Sequence, residues 1–445
     1  MRCSTSEEKK LAWWQLSLLG VGCTIGTGYF LGSGIAIKRT GPSVLLAFIC
    51  AAFTTYIVFH VLATMTVEDP VKGSFRSYAK KAYGHWAGFS SGWVYWCSEM
   101  LIVGSQLTAL SIFSRFWFPS IPLWMFSVGY AILGLAVIFV GTKMFERIEN
   151  VLAVAKIAAI FMFIIIAVLA LFGVIDGDAP KPDFPNTMGE VLPKGIIGLW
   201  SSLIYAFYAF GGIEIMGLMA LRLRKPEDAP KSGRIMLLLL GLIYIVSLGL
   251  VVTMDSWRAF NTKESPFVIA LNDYHLPFIP HIFNGVLIIA GFSTMAASLF
   301  AVISILMALA EDGDAPRVFA KKGEKKISIP ALVLTASGVA VSIIMALIMP
   351  GKIYEYITTA AGLMLLYNWF FILVFSRRLI RIEGGDNVKR IIGMIFIVLA
   401  VSGTLLEKSS RPGFFVSLGF VGIIAAVACK MRSRWAEAKQ QRKAS

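Results

Sequence analysis

Two glycine-rich stretches of this 445-residue chain have the residue types needed to bind a small charged molecule. The first holds six glycines between residues 20 and 34. Glycine inside a helix costs about 1 kcal/mol relative to alanine, so a dense cluster permits local unwinding. We expect a break around Ile25 to Gly28, whose free N–H groups would suit a carboxylate. Close helix packing through Gly28 and Gly32 is the alternative explanation of the cluster.

The second stretch places a carboxylate directly after a glycine pair. It reads Phe207, Tyr208, Ala209, Phe210, Gly211, Gly212, Ile213 and Glu214, deep in an apolar run. Two interrupted helices at equivalent positions of an internal repeat are the best sequence indication of a transporter binding site. Free N–H groups at one break suit a carboxylate, and free carbonyl groups at the other suit an ammonium group. Together the two breaks predict a site for an amino acid.

Three ionisable residues lie inside apolar stretches, where a charge is costly and indicates function by default. Lys156 is either a side chain whose long stem reaches the membrane interface or a buried amine that exchanges a proton during transport. Glu214 is either a hydrogen-bond anchor for the unwound stretch or a member of the proton path. Glu99 has no partner among its sequence neighbours, and we interpret it as structural.

The composition identifies the elements that position these residues. Apolar residues (AVILMFWYC) make up 57% of the chain and charged residues only 15%, against about 25% charged in a soluble domain. These values exclude a soluble multi-domain protein, a disordered chain, collagen and a secreted disulfide scaffold. Twelve apolar stretches come close to the ~20 residues that cross ~30 Å of hydrocarbon. They are 15–37, 42–66, 88–114, 121–140, 150–174, 195–221, 235–254, 282–310, 330–349, 353–375, 391–406 and 413–429.

The distribution of charge predicts how these spans are oriented. Twelve spans place both termini on one side, and 30 of the 41 Lys and Arg residues lie on that side. Ten lie in the opposite loops, and the remaining one is Lys156. Because cytoplasmic loops carry the excess of positive charge, we expect both termini in the cytoplasm. The net charge of +15 then indicates contact with anionic lipid headgroups, not with nucleic acid.

Motifs for other chemistry are missing from the sequence. It contains no GxxxxGK phosphate-binding loop and no HExxH, and its histidines are scattered at positions 60, 85, 275 and 281. The five cysteines have no CxxC spacing and are interpreted as small apolar residues. We therefore expect no enzyme, no metal, no cofactor and no nucleic-acid partner.

Several motifs occur in the order and spacing of one known family. They are Ile25-Gly26-Thr27-Gly28, Gly73-Ser74-Phe75-Arg76-Ser77-Tyr78-Ala79, Gly212-Ile213-Glu214 and Leu309-Ala310-Glu311-Asp312-Gly313-Asp314-Ala315-Pro316. Over nearly its whole length the chain resembles the amino acid–polyamine–organocation superfamily of permeases, in its bacterial amino acid transporter branch. It departs from that branch at Gln106, where an acidic residue is usual.

The resemblance implies an all-α membrane protein of 12 transmembrane helices. Its core would be a five-plus-five inverted repeat of the leucine-transporter type, with helices 1 and 6 broken and two helices added at the C-terminal end. The expected parts are a cytoplasmic segment 1–14, a transport core 15–375 and helices 11 and 12 within 376–429, followed by a basic cytoplasmic tail 430–445. The two repeats within the core would cover about 15–174 and 195–375.

The resemblance also implies roles for individual residues. N–H groups around Thr27 and Gly28, helped by Thr24, would hold the substrate carboxylate. Carbonyl groups near Tyr208 and Gly211 would hold its ammonium group, with the Tyr208 ring as a gate. Lys156 matches a lysine that in some relatives replaces the cation of sodium-coupled proteins, which favours proton coupling. The expected substrate-binding set is Thr24, Ile25, Gly26, Thr27, Gly28, Ser105, Phe207, Tyr208, Phe210, Gly211, Gly212 and Ser298, with Lys156 and Glu214 for proton coupling.

This pocket lining, which also includes Gln106, offers no clear counter-charge for a substrate side chain. We therefore expect a neutral amino acid, small and polar or aliphatic. The predicted function is import of that amino acid by proton symport and alternating access, in a bacterial cytoplasmic membrane and without an obligatory protein partner. An amino acid exchanger and a transporter-like sensor without net transport stay open as alternatives.

Overall fold

The computed structural model describes residues 11–71, 73–140, 142–177, 187–214, 223–321, 328–349, 352–381 and 384–444. Within these ranges the protein is helical, and pairing between extended segments is limited to two isolated bridges, Leu11 with Leu223 and Gly177 with Tyr274. A membrane explains this choice, because helices satisfy their backbone hydrogen bonds without water. Residues 1–10 of the predicted cytoplasmic segment and residues 215–221 of the sixth predicted span lie outside the described ranges.

The described residues of the first half of the chain form nine helices, and the fifth of them is short and amphipathic. They are α1 Trp13–Thr24, α2 Thr27–Phe30, α3 Gly32–Thr40, α4 Val44–Glu68, α5 Phe75–Tyr83, α6 His85–Ser114, α7 Leu123–Val140, α8 Thr142–Leu171 and α9 Met188–Val191. Helices α1 to α3 together occupy the first predicted span. The first span is therefore divided, as the glycine cluster predicts.

The described residues of the second half form a further eight helices. They are α10 Gly195–Tyr208, α11 Ala229–Met254, α12 Pro266–Asn272, α13 Ile279–Glu311, α14 Ile329–Ile348, α15 Ile353–Leu379, α16 Gly384–Gly403 and α17 Arg411–Ala444. In the described residues, nine helical segments are long and apolar enough to cross a membrane, and Leu123–Phe139 is a shorter apolar helix. The protein is thus a multi-pass membrane protein. The count of twelve spans, the five-plus-five repeat and the domain limits remain predictions.

The centre of the bundle is formed by α6, which packs against α13 and α15. Within the apolar 18-residue stretch of α6, 89% is buried inside the protein. The corresponding stretches of α14 and α17 are only 22% buried. Large apolar side chains such as Ile132, Phe161 and Ile165 are exposed on outer helices, as expected where hydrocarbon replaces water as the solvent. Helix α8 packs against α1 and α13, which brings Lys156 close to the divided first span.

Candidate functional site

The first span is interrupted between α1 and α2, at Ile25 and Gly26. Both residues are extended, with φ −69° and ψ 110° at Ile25 and φ −151° and ψ −161° at Gly26. Gly26 is required by a close approach, since a Cβ there would lie 2.8 Å from Cγ2 of Thr294 on α13. The glycine cluster therefore allows both the unwinding and the contact with α13.

The sixth span is interrupted after α10, which ends at Tyr208. Residues 209–212 form turns, and Gly212 has φ +107°, a conformation that other residues rarely adopt. A Cβ on Gly212 would lie 3.7 Å from the carbonyl oxygen of Cys23 and 3.7 Å from Oγ1 of Thr24. The second break therefore lies directly against the end of α1, and the two interruptions face each other inside the bundle.

A small cavity of about 40 Å³ lies between the two breaks. It is lined by Cys23, Thr24, Gly26, Gly28, Glu99, Ile102, Gln106, Tyr208, Gly211, Gly212, Thr294, Ala297 and Ser298. This volume is far below the ~300–1,000 Å³ typical of small-molecule sites, so the cavity is too small for an amino acid in this conformation. Any amino acid that enters requires the surrounding helices to separate.

Seven of the expected substrate-binding residues line this cavity. They are Thr24, Gly26, Gly28, Tyr208, Gly211, Gly212 and Ser298. Two others lie one contact away from it. The Thr27 hydroxyl donates to Oε1 of Gln106 at 2.6 Å, and Ser105 Oγ lies 2.8 Å from the Tyr208 hydroxyl oxygen, with either group as the donor.

The remaining three expected residues lie in the packed core beside the cavity. Ile25 is fully buried. The Phe207 ring packs edge-on against Trp369 at 6.3 Å, and the Phe210 ring packs against Tyr244 at 5.0 Å. These two aromatic side chains pack against the second break on the side away from the cavity. The cavity lining therefore contains fewer large apolar residues than the sequence-based set.

Lys156 extends from α8 to the first break. Its side chain is fully buried, and its Nζ donates a hydrogen bond to the Gly22 carbonyl oxygen at 2.8 Å. Carbonyls in the last turn of a helix lack intrahelical partners, and the helix dipole favours a cation at that end. The ammonium group thus stabilises the end of α1 within the protein, away from the membrane interface.

Glu214 holds the second break in an equivalent way. It is fully buried, and its Oε2 accepts the Gly212 N–H at 3.1 Å. Its Oε1 accepts the indole N–H of Trp369 on α15. Each break is therefore fixed by one buried ionisable side chain, Lys156 at the first and Glu214 at the second.

Comparison with known proteins gives a single consistent family. The model of the family described as "Amino acid permease" matches residues 15–402. The chain is 58% identical over 417 residues to the "Uncharacterized transporter YcgH" of Bacillus subtilis (strain 168), covering 94% of each protein. It is 29% identical to the "Aromatic amino acid transport protein AroP" of Escherichia coli (strain K12), covering 92% of this chain and 91% of AroP.

The chain belongs to the amino acid permease family. The resemblance drawn from the sequence motifs is thereby confirmed. Members of this family are transporters, so the permease is not an enzyme. Among the described residues no group of three or more His, Cys, Asp or Glu side chains is placed to hold a metal ion.

The permease also contains lining residues that the sequence-based set omits. They are Cys23, Ile102, Thr294 and Ala297, together with Glu99, which the sequence suggested to be structural. Thr294, Ala297 and Ser298 follow the three- and four-residue spacing of one helix face. Small or polar residues at that spacing in an otherwise apolar helix are the signal that could have found them. Glu99 lies against Ser298 and Tyr95.

Two ion-pair networks lie at opposite ends of the bundle. In one, Arg39 after the first span pairs with Glu355 at the start of α15, and both contact Ser409, at 2.8 Å and 2.6 Å. In the other, Arg76 on α5 pairs with Asp312 at 2.7 Å, close to the end of α13. By the predicted topology, the first network faces outward and the second faces the cytoplasm.

Proposed function

We propose that this permease carries a small neutral amino acid across the cell membrane by alternating access. The observation that carries the proposal is the small cavity between the two breaks, where Gly212 lies directly against Cys23 and Thr24. Unwound backbone at membrane depth is tolerated only in protein or against a cavity. Two such segments in contact are best explained by a site that binds a polar molecule in the middle of the membrane.

The two breaks supply complementary backbone groups for an amino acid. The N–H groups at Thr27 and Gly28 begin a new helix, where the positive end of the helix dipole favours a carboxylate. Carbonyl groups around Tyr208 and Gly211 end α10, where the negative end favours an ammonium group. An α-amino acid presents these two charges on neighbouring atoms and so bridges the breaks.

The proposed side-chain preference follows from the size and polarity of the lining. Thr294, Ala297 and Ser298 present small surfaces, and the one lining acid, Glu99, already lies against Ser298 and Tyr95. No further charge remains for a basic or acidic substrate side chain within the described lining. We therefore assign a small polar or aliphatic substrate, although the AroP relatives are named as aromatic amino acid transport proteins.

Alternating access is proposed from the two ion-pair networks. The cavity has no room for substrate while both networks are closed. Opening the Arg39–Glu355 network would admit substrate from outside, and opening the Arg76–Asp312 network would release it to the cytoplasm. The first network joins α3 to α15, and the second joins α5 to the end of α13. Opening either passage therefore requires helices to move apart, in addition to the rotation of side chains.

Proton coupling is assigned to Lys156, with Glu214 as a second member of the path. Loss of a proton from Lys156 would remove the positive charge at the end of α1 and weaken its hydrogen bond to Gly22, next to the proposed carboxylate site. Protonation and substrate binding would then stabilise the same arrangement of the first break. Such mutual stabilisation is what thermodynamic coupling requires.

The test is uptake of radiolabelled amino acids into proteoliposomes, with an imposed pH gradient, with a sodium gradient, or with neither. We expect saturable accumulation of alanine- or serine-sized substrates that depends on the pH gradient. Preferred uptake of phenylalanine, tyrosine or tryptophan would refute the small-substrate assignment. Accumulation that requires sodium and ignores the pH gradient would refute proton coupling, and binding without flux would identify a sensor.

A further inference from the structure

A second, larger cavity, which shares no lining residue with the substrate cavity, lies between α6 and α17. Its volume is about 540 Å³, within the ~300–1,000 Å³ typical of small-molecule sites. One wall is an apolar and aromatic face of α6, and the other is an apolar face of α17 that runs from Phe420 to Met431. Residues 313–316, the turn after α13, border one end. We call this cavity the α6–α17 cleft.

The dimensions of the α6–α17 cleft match one leaflet of a bilayer. The stretch from Phe420 to Met431 advances 11 residues, which is about 16 Å along a helix at 1.5 Å per residue. One leaflet accounts for half of the ~30 Å hydrocarbon core. The α17 wall is accessible in part, since Ile423 is 64% and Val427 44% exposed, whereas Ile424 is buried. An extended hydrocarbon chain is the ligand that fits an apolar cleft of this length.

The end of the cleft beside residues 313–316 is polar and faces the cytoplasm in the predicted topology. Trp435, one turn beyond Met431, stacks on His85 with ring centroids 4.8 Å apart and packs against Phe89 at 5.4 Å. Its indole N–H is buried and has no hydrogen-bond partner among the described residues. This buried donor requires an acceptor, and a lipid phosphate or ester oxygen supplies one when a small shift of the Trp435 side chain opens the indole N–H to the cleft.

The charge around this end favours an anion. Lys430 and Arg432 on α17 are exposed within two turns of Trp435, and residues 430–445 contain six Lys or Arg against one Glu. The nearest buried acid, Asp314, is already paired with Arg76 and His85. Lys430 and Arg432 are therefore available to attract a phosphate, as basic residues beside a membrane do.

We propose that the α6–α17 cleft binds one acyl chain of an anionic phospholipid of the cytoplasmic leaflet. The lipid phosphate lies at the Trp435 indole N–H and the cations of the C-terminal helix. This site is independent of amino acid binding and of the coupling ion.

The test is native mass spectrometry of the purified permease titrated with palmitoyl-oleoyl phosphatidylglycerol or with the phosphatidylcholine of the same chains. Val427→Trp fills the cleft, and Val416→Trp is its control on the same helix, because Val416 is similarly exposed at 48% and does not line the cleft. We expect one tightly bound phosphatidylglycerol that Val427→Trp weakens about tenfold or more and Val416→Trp leaves unchanged.

The headgroup contact is tested separately. Trp435→Phe keeps the aromatic packing and removes the donor, so it should weaken phosphatidylglycerol binding about tenfold, while Trp86→Phe at the same end of α6 should not. Equal binding by Val427→Trp and Val416→Trp overturns the acyl-chain site. Equal affinity for the two lipids overturns the anionic headgroup. A dimer that Val427→Trp dissociates would assign the cleft to a second copy of the chain and also overturns the proposal.

Discussion

Replacing Lys156 separates its two possible contributions, a hydrogen bond and a proton. The Lys156 ammonium donates to the Gly22 carbonyl at 2.8 Å from a fully buried position. Lys156→Met removes both the donor and the proton. Lys156→Gln keeps an N–H donor that can face the Gly22 carbonyl, but it cannot carry a proton. Lys38→Gln, at an exposed lysine outside the site, serves as the control.

The two contributions differ in size and in the property they affect. One proton moving down a gradient of one pH unit supplies about 1.4 kcal/mol, and a potential of about 100 mV adds about 2.3 kcal/mol. Together they support roughly 500-fold accumulation of a neutral substrate, since each 1.4 kcal/mol is tenfold. An unsatisfied Gly22 carbonyl costs about 1–3 kcal/mol of stability. The first effect appears in accumulation and the second in the free energy of unfolding.

The assay compares gradient-driven accumulation in proteoliposomes with exchange of substrate at equal concentration on both sides. We expect both Lys156 variants to lose accumulation, falling from several hundred-fold toward unity, while exchange continues. Only Lys156→Met should also lower the free energy of unfolding by about 1–3 kcal/mol. Wild-type accumulation by Lys156→Gln would refute the reasoning, because a hydrogen bond alone would then explain the lysine.

Three further predictions concern the breaks and the outer network. Gly26→Ala should abolish uptake, because its Cβ would lie 2.8 Å from Thr294 Cγ2; the double variant with Thr294→Ala should recover uptake, and failure to recover would contradict a steric cause. Glu214→Gln turns one of two buried acceptors into a donor and should lower the free energy of unfolding by about 1–3 kcal/mol, measured by denaturant titration; an unchanged value would show that the anchor is dispensable. Arg39→Met or Glu355→Met alone leaves a buried charge unpaired and should destabilise by about 3–5 kcal/mol, whereas the double variant should be less affected than either; additive losses in the same titration would argue against a coupled pair.

Both breaks were predictable because their causes are local. A glycine cluster weakens a helix whatever its neighbours are. Gly212 has a positive φ, which glycine adopts readily because it lacks a Cβ. The first interruption falls at Ile25 and Gly26, inside the stretch that the sequence indicates. Lys156 and Glu214 could likewise be identified as functional candidates, since a charge in an apolar span is unusual in any arrangement of helices.

The partners of these residues could not be predicted. Lys156 contacts a carbonyl 134 positions away, and Arg39 pairs with a glutamate 316 positions away. Phe207 and Phe210 were expected in the lining, yet they pack behind it, because helical spacing gives the face a residue occupies but not the neighbour that the face meets. Thr294 and Ala297 were missed for the same reason.

The sequence by itself determined that this chain is a helical membrane permease with two interrupted helices. Those conclusions depend on hydropathy, on glycine content and on motif order, each of which is a property of consecutive residues. Only the tertiary structure decided that the two interruptions meet at a small cavity of about 40 Å³ and that Lys156 contacts the end of α1. Such contacts join distant segments, and they arise from how whole helices pack in three dimensions.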